Sequence, residues 1–192
     1  MTAPGPGTDL EAELRDLLLE RAVRRGEFIL ASGQRSSYYI DCRVATMSAR
    51  GLVLIGRLGL AAIEGRGWAP AAVGGLTMGA DPVAYAVAAA SWHAGRPIDA
   101  FSVRKQAKEH GTQRRIEGNF ERGQRVVVVE DVITSGASAL QAIEAVRAEG
   151  GEVAGVLAVV DRLQGGRAAI EAAGVPVAAL TDVRQLGLVG ET

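Results

Sequence analysis

An acidic pair followed by a turn of small hydroxyl residues is the strongest chemical signal in this sequence. Glu130 and Asp131 end an apolar run that begins at Val126, and the segment Thr134–Ser138 follows them. The amides of a glycine-containing turn before a helix suit a phosphate group, and carboxylates at a strand end suit hydroxyl groups or a hydrated cation. The residues therefore predict a site for a phosphorylated sugar; the alternative is an acidic turn that only caps a helix.

The only two lysines of the chain lie in one charged segment, Arg104–Gly118. Lys105 and Lys108 share it with Arg104 and His110, whereas every other basic residue of the chain except His93 is an arginine. Loops at the carboxyl ends of parallel strands open onto the same side of a sheet. We therefore expect a cationic lid over the phosphate-sugar site, with a solvated charged loop as the alternative.

Two further features could bind the rest of a ligand. Arg162 follows the buried run Val153–Val160, so its guanidinium can reach the same crevice and hold a carboxylate through two hydrogen bonds. A surface ion pair with the neighbouring Asp161 is the alternative. Tyr38 and Tyr39 either pack within a strand or give a planar ring a stacking surface.

Composition excludes several classes of protein. The 192 residues are 48% hydrophobic and 22% charged, with a formal net charge of −1, so the chain as a whole does not attract nucleic acid or an anionic membrane. No apolar run approaches the roughly 20 residues of a membrane span, and the first residues lack a signal-peptide pattern. Cys42 is the only cysteine, which favours a cytoplasmic setting, and we interpret it as a buried apolar residue rather than a nucleophile.

Apolar periodicity predicts alternating strands and helices, and therefore an α/β fold with a central, mainly parallel sheet flanked by helices. We predict a single domain over residues 1–192, with disorder over residues 1–7. The predicted helices run from a capping box at Thr8–Glu11 to a C-cap at Gly26, over Ser48–Gly65, over Val83–His93 with Asp81 as N-cap, over Ala137–Glu149 and over Arg167–Ala173, with a last turn from Thr181 to Leu186. The predicted strands are Phe28–Leu30, Tyr38–Ile40, Ala71–Gly74, Ile98–Val103, the run from Val126, Val153–Val160 and Val175–Leu180, and no strand is expected within Arg104–Gly118.

The segment Val126–Ser138 resembles the phosphoribosyl pyrophosphate signature of type I phosphoribosyltransferases. Together with Phe28–Arg43 and Arg104–Gly118, in that order, it resembles orotate phosphoribosyltransferases, from about Glu13 to Leu188. The resemblance implies a Rossmann-like fold with a small N-terminal hood over about residues 8–45. It also implies transfer of the phosphoribosyl group from 5-phospho-α-D-ribose 1-diphosphate to orotate, giving orotidine 5-monophosphate and pyrophosphate in de novo UMP biosynthesis. The implied cofactor is Mg²⁺, and the implied assembly is a homodimer with shared active sites and no nucleic acid or membrane partner.

The same resemblance implies a role for each candidate residue. The expected donor-binding residues are Arg104, Lys105, Lys108, His110, Glu130, Asp131, Val132, Ile133, Thr134, Ser135, Gly136, Ala137 and Ser138. The expected catalytic residues are Lys108, His110 and Asp131, and Lys108 is the main stabiliser of the leaving pyrophosphate. The expected orotate-binding residues are Tyr39, Ile40, Thr134 and Arg162. No residue is assigned as a direct metal ligand; Mg²⁺ is expected with the substrate, near Glu130 and Asp131. The family often has lysines where this chain has Ala31 and Met78.

Two other functions fit part of the pattern. A purine phosphoribosyltransferase would use the same donor site, but a purine has no carboxylate for Arg162 to pair with. A regulator that senses phosphoribosyl pyrophosphate and binds nucleic acid without catalysis is the other possibility. The near-neutral charge and the lack of a basic stripe argue against the regulator.

Overall fold

A central sheet, a separate hairpin and six helices make up residues 9–29, 35–106 and 115–188, which the computed structural model describes. The helices are α1 Leu10–Arg21, α2 Arg43–Thr46, α3 Ala49–Gly65, α4 Ala80–His93, α5 Ala137–Ala148 and α6 Gly166–Ala172. The strands are β1 Val23–Ile29, β2 Arg35–Ile40, β3 Ala72–Leu76, β4 Asp99–Val103, β5 Ile116–Gly118, β6 Arg125–Ile133, β7 Glu152–Asp161 and β8 Val177–Asp182. None of the helices in these ranges is long and apolar enough to cross a membrane.

The central sheet has the strand order β5-β4-β3-β6-β7-β8. Every neighbouring pair is parallel except β4 and β5, which are antiparallel. β1 and β2 form their own antiparallel pair. The predicted α/β class with a mainly parallel, helix-flanked sheet is therefore confirmed. The hairpin falls within the residues for which a hood is predicted.

The β-branched run at the start of β6 forms the centre of the core. Val126–Val129 are fully buried because helices cover both faces of the strand. Val127 and Val129 pack into the cluster that includes α3 and α4, whereas Val126 and Val128 pack into the cluster that includes α5 and α6. The alternation of side chains along a strand thus joins two hydrophobic layers through one continuous segment.

Two predictions about the first half of the chain are wrong. The first helix ends at Arg21 rather than near Gly26, because Val23 pairs with Ile40 at the start of the β1–β2 hairpin. Its observed cap is Asp9, whose carboxylate accepts hydrogen bonds from two first-turn amides. Thr8, residues 1–7 and Ala31 lie outside the described residues. Cys42 is 1% exposed, and burial raises the pKa of its thiol, so it is a core residue as predicted.

Three further boundaries differ. The fourth helix begins at Ala80, so Asp81 lies inside its first turn and is not its N-cap. The segment Arg104–Gly118 does contain a strand, since β5 pairs with β4 at its end. The last turn is capped by Asp182, whose carboxylate accepts hydrogen bonds from two following amides, whereas Thr181 is part of β8. Of these three boundaries, the strand β5 depends on pairing with a distant strand, whereas the cap at Asp182 is made by hydrogen bonds within three residues.

Gly155 allows β7 to pass against the ring of Trp68. A Cβ atom at Gly155 would overlap ring atoms of Trp68, a buried residue. We expect Gly155→Ala to lower the free energy of unfolding by about 1–3 kcal/mol through overpacking, as measured by urea denaturation. Gly65→Ala is the matched control, because a Cβ there meets nothing within 4 Å and alanine favours the end of α3. Equal stability of the two variants would contradict the prediction.

Candidate functional site

The predicted site residues converge on one edge of the central sheet. β3, β4, β6 and β7 are parallel, so their carboxyl ends lie side by side. The segments that follow these strands are Thr77–Gly79, Arg104–Lys105, Thr134–Ser138 and the turn that contains Arg162. An open α/β sheet binds its ligands at this edge.

The turn between β6 and α5 has the form of a phosphate cradle. Thr134, Ser135, Ala137 and Ser138 are exposed around the buried Gly136. Gly136 has φ 81° and precedes the twelve-residue helix α5, so no side chain covers the first helical amides. A pocket of about 90 Å³ is lined by Glu130 and residues 132–139. Free amides at the positive end of a helix are a suitable site for a phosphate group.

Backbone contacts from the β7–α6 connection fix this turn. The Gly166 amide donates a 3.0 Å hydrogen bond to the Thr134 carbonyl, and the Arg162 amide donates a 2.9 Å bond to the Ile133 carbonyl. A Cβ at Gly166 would lie 2.5 Å from the Thr134 oxygen, and one at Gly136 would lie 2.8 Å from the Gly166 oxygen. The two connections therefore touch backbone to backbone, which only glycine at both positions permits without displacement.

The acidic pair is not a helix cap. Glu130 is 6% exposed, and its Oε2 atom has no hydrogen-bond partner within the described ranges. Burial raises the pKa of Glu130 to about 8, and the adjacent Asp131 carboxylate adds to the increase. Burial also raises the pKa of Asp131, although a 2.8 Å hydrogen bond from the Val132 amide opposes it. The pair therefore concentrates negative charge, or the protons that neutralise it, and Glu130 Oε2 has no partner among the described residues.

A hydrated cation suits this arrangement better than a directly ligated metal. The described residues contain no cluster of three or more histidine, cysteine, aspartate or glutamate side chains that could enclose an ion. Glu130 and Asp131 offer hard carboxylate oxygens, which are the donors that Mg²⁺ prefers. The pair thus fits an Mg²⁺ ion that is held mainly by substrate oxygens and water.

Arg162 is a buried guanidinium that lacks an anionic partner in the described part of the chain. It is 8% exposed, and its Nε and Nη2 atoms make no hydrogen bond to described residues. Its guanidinium carbon lies 5.3 Å from the ring centroid of Tyr38. Asp161 instead accepts hydrogen bonds from Arg167 Nε at 2.9 Å and from the Leu163 amide at 2.8 Å. The alternative ion pair of Arg162 with Asp161 is therefore not the arrangement observed.

The hairpin strand β2 places its aromatic residues on opposite faces. Tyr38 is buried beside Arg162, whereas Tyr39 is 39% exposed and its ring centroid lies 5.8 Å from that of Phe28. Ile40 is buried in the core. Both tyrosines are candidates in the sequence, and the resemblance assigns Tyr39 and Ile40 to the orotate site. That assignment stays a prediction, and Tyr38 is the tyrosine that contacts Arg162. The alternation of a strand shows that the two tyrosines face opposite ways, but it does not show which one meets Arg162.

The charged segment begins and ends in a hairpin. The Arg104 amide donates a 2.8 Å hydrogen bond to the Arg115 carbonyl, and Arg104 Nη1 lies 3.3 Å from Glu117 Oε1. Lys105 is exposed just beyond β4. Lys108 and His110 lie outside the described residues, so their assigned roles stay predictions. The described ends of the segment do arise at the expected edge of the sheet.

Known proteins are similar to this chain in both sequence and fold. Residues 53–173 match the model of the phosphoribosyl transferase domain. The chain is 45% identical over 192 residues to orotate phosphoribosyltransferase of Rhodopirellula baltica, covering 98% of this chain and 99% of that protein. It is 50% identical over 176 residues to the Mycobacterium avium protein of the same name, covering 92% and 96%. A crystal structure of Mycobacterium tuberculosis H37Rv orotate phosphoribosyltransferase in complex with 5-phospho-α-D-ribosyl 1-diphosphate superposes with a TM-score of 0.80 and 46% identity, covering 93% and 99%.

The raised pKa of Glu130 predicts a stability difference that depends on pH. The folded protein retains this proton up to about pH 8, whereas an unfolded chain releases it near pH 4.5, so folding takes up a proton between these values. Stability that depends on this group is therefore lost as the pH rises through that window. We expect Glu130→Gln to gain roughly 2–4 kcal/mol in free energy of unfolding relative to the parent between pH 5 and pH 8.5.

Urea denaturation at a series of pH values measures this difference. The control is Glu144→Gln, which makes the same substitution at an exposed position of α5 and should change the free energy of unfolding little. Parallel stability curves for the parent and Glu130→Gln would show that Glu130 ionises normally in the folded protein.

Proposed function

The chain belongs to the orotate phosphoribosyltransferases of the phosphoribosyl transferase family, and from this premise we propose how its residues perform the reaction. The reaction joins the phosphoribosyl group of phosphoribosyl pyrophosphate to orotate and releases pyrophosphate. The observation that carries the choice of orotate is Arg162, a buried guanidinium with two nitrogen atoms that no described residue satisfies. Orotate has a carboxylate that can supply the missing acceptor, whereas purine bases do not.

The donor sugar phosphate occupies the β6–α5 turn in this proposal. Thr134–Ser138 and the first amides of α5 bind the 5-phosphate, with Val132 and Ile133 forming the base of the pocket. Glu130 and Asp131 hold the ribose hydroxyls. A neutral Glu130 donates one hydrogen bond and accepts others, so its raised pKa is compatible with a neutral diol partner.

The chemical step breaks the bond between ribose C1 and the diphosphate oxygen while a ring nitrogen of orotate bonds to C1 and gives up its proton to a diphosphate oxygen or to water. The bonding electron pair leaves with the diphosphate, and positive charge develops on the sugar. The negative charge of Asp131 offsets part of that positive charge, and Arg104, Lys105, Lys108 and His110 stabilise the departing diphosphate. Mg²⁺ carried by the donor, when bound, would neutralise further charge on the diphosphate. Closure of the Arg104–Gly118 segment excludes water that would otherwise hydrolyse the donor.

Orotate binds between the hairpin and the β7–α6 connection. Arg162 pairs with its carboxylate, Thr134 contacts the ring, and Tyr39 and Ile40 border it. Tyr38 holds the Arg162 guanidinium from behind, which keeps the fork of donors facing the site. A base without a carboxylate would leave a charged group buried and unpaired, which disfavours purines.

A second copy of the chain covers the groove between α3 and α4 in this proposal. The groove has a volume of about 690 Å³ and is lined mainly by apolar side chains. Val53 and Tyr85 in its wall are 52% and 55% exposed. The Tyr85 hydroxyl lies 3.4 Å from Ser102 Oγ on β4, two residues before Arg104. A copy bound there lies next to the start of the charged segment, as a shared active site requires.

A cytoplasmic location of the protein stays a prediction.

Turnover of orotate with and without Arg162 tests the acceptor assignment. The parent protein with Mg²⁺ and phosphoribosyl pyrophosphate should consume orotate, followed by its ultraviolet absorbance, and should leave adenine, hypoxanthine and uracil nearly untouched. Arg162→Ala should raise the KM for orotate about a hundredfold, because a buried charged pair is lost. It should also lower the ratio of kcat/KM for orotate to kcat/KM for uracil. Arg162→Lys should recover only part of the affinity for orotate, since lysine lacks the planar guanidinium group that donates two parallel hydrogen bonds.

The control for Arg162 is Arg184→Ala, which removes an exposed arginine after the neighbouring strand β8 and should leave the KM for orotate unchanged. Turnover of a purine with orotate untouched would overturn the proposed function. An unchanged preference for orotate over uracil in Arg162→Ala would overturn the role of Arg162.

Complementation between inactive variants tests the shared site. Lys108→Ala and Asp131→Asn should each abolish most activity alone, since they remove the leaving-group cation and the ribose carboxylate. If Lys108 serves the neighbouring subunit, mixed dimers contain one intact site, and random exchange should restore about a quarter of parental activity. Introducing Val53→Asp into both variants places a charge in the α3–α4 groove and should prevent the recovery. Absence of recovery in verified mixed dimers would show that each subunit uses its own segment.

A further inference from the structure

We propose that Asp81 is a positioning residue for the donor side of the reaction, because its carboxylate fixes the loop Thr77–Gly79 against the site carboxylate Asp131. Sequence reasoning considered Asp81 only as a helix cap. The inference rests on the proposed function for the identity of the donor, but it comes from a separate set of contacts.

Asp81 connects two elements that do not otherwise share side-chain hydrogen bonds in the described part of the chain. Its Oδ2 atom accepts a 2.7 Å hydrogen bond from Thr77 Oγ1 in the loop after β3. Its Oδ1 atom accepts a 2.7 Å hydrogen bond from Ser102 Oγ on β4. Both bonds are short and charge-assisted, and together they use both carboxylate oxygens. The geometry is that of a bridge between the loop and the strand.

A capping role does not explain this bridge. α4 begins at Ala80, so Asp81 lies in the first turn, where the helix dipole favours a negative charge. Both side-chain hydrogen bonds nevertheless come from hydroxyl groups outside the helix rather than from amides within it. The dipole stabilises the charge, and the charge holds the loop.

The loop that Asp81 holds lies directly beside the acidic pair. A Cβ atom at Gly79 would lie 2.7 Å from Asp131 Oδ1 and 2.9 Å from its Cγ, so the loop backbone packs on this carboxylate with no side chain between them. Movement of the loop would therefore change the space beside Asp131. Since Asp131 faces the ribose in the proposed function, the loop position should affect the donor rather than orotate.

The bridge also ties the loop to the origin of the charged segment. The Thr77 amide donates a 2.9 Å hydrogen bond to the Val103 carbonyl, and Ser102 precedes Val103 on β4. Arg104 and Lys105 follow immediately. The loop after β3 and the end of β4 are therefore held at a fixed position relative to each other by Thr77, Asp81 and Ser102. In the proposed function these are the two chain segments that approach the diphosphate.

Asp81→Ala tests the proposal, and Asp99→Ala is the matched control. Asp99 is an exposed aspartate at the opposite end of β4. We expect Asp81→Ala to weaken binding of phosphoribosyl pyrophosphate with Mg²⁺ about tenfold by calorimetry and to raise its KM similarly, with the KM for orotate changed less than twofold. Asp81→Asn should recover most of the affinity, because its amide accepts one hydroxyl bond and can donate to the other hydroxyl.

A double-mutant cycle separates the bridge from a general loss of stability. Thr77→Val removes one hydroxyl with little change in shape and should weaken donor binding in the parent but have no further effect on Asp81→Ala. The positioning role of Asp81 would be overturned if the losses of donor affinity in Thr77→Val and Asp81→Ala were additive. It would also be overturned if Asp81→Ala raised the KM values for donor and orotate equally, or bound the donor as tightly as Asp99→Ala. Because the calorimetric measurement needs no orotate, it tests Asp81 even if the parent fails to turn orotate over, and that failure would count against the proposed function alone.

Discussion

Burial of the central strand β6 on both faces is the constraint on which the site depends. A strand enclosed by two helical layers can end in polar groups only where the layers part, at the carboxyl edge of the sheet. Val126–Val129 are fully buried, and Glu130, the next residue, is still only 6% exposed. The core therefore holds a carboxyl group where water does not fully solvate it, which is why its pKa rises to about 8. The chemistry of the acidic pair is a consequence of the packing that precedes it.

One hydrogen-bonded unit joins the two regions that we propose for the donor and the acceptor. The Arg162 and Gly166 amides bind the carbonyls of Ile133 and Thr134, so the phosphate turn and the acceptor arginine share a backbone frame. Gly136 and Gly166 let these connections touch. Asp161, at the end of β7, is paired with Arg167, so its carboxylate does not occupy the guanidinium of Arg162. A shift of β7 relative to β6 would change the distance between the two regions. The pairing of these strands along the core of the sheet prevents such a shift.

The parts of this molecule that sequence predicted well are those encoded within a few residues. The β-branched run, the acidic pair and the glycine turn each have a local pattern, and the strand, site edge and helix α5 followed from them. The misassignments have a different origin. The end of α1 was decided by pairing of Val23 with Ile40, and Asp81, which was expected to cap α4, instead accepts a hydrogen bond from Ser102 on β4. The contact between Tyr38 and Arg162, which was not predicted, also joins residues far apart in the chain. No local pattern contains these partners, because they meet only when the sheet has formed.

The site contains two buried groups of opposite character that no described residue satisfies, and together they indicate the chemistry of the ligand. Glu130 Oε2 and the Arg162 Nε and Nη2 atoms lack partners in the described residues, although each is buried. Buried polar groups without partners cost free energy, so each of these groups favours a ligand that satisfies it. A ligand that satisfied only one would leave the other cost in place. In the proposed function the donor offers hydroxyl groups to the acidic pair, and orotate offers its carboxylate to Arg162. In the proposed function each substrate therefore removes one of the two costs, so both buried groups are satisfied only when donor and acceptor are bound together.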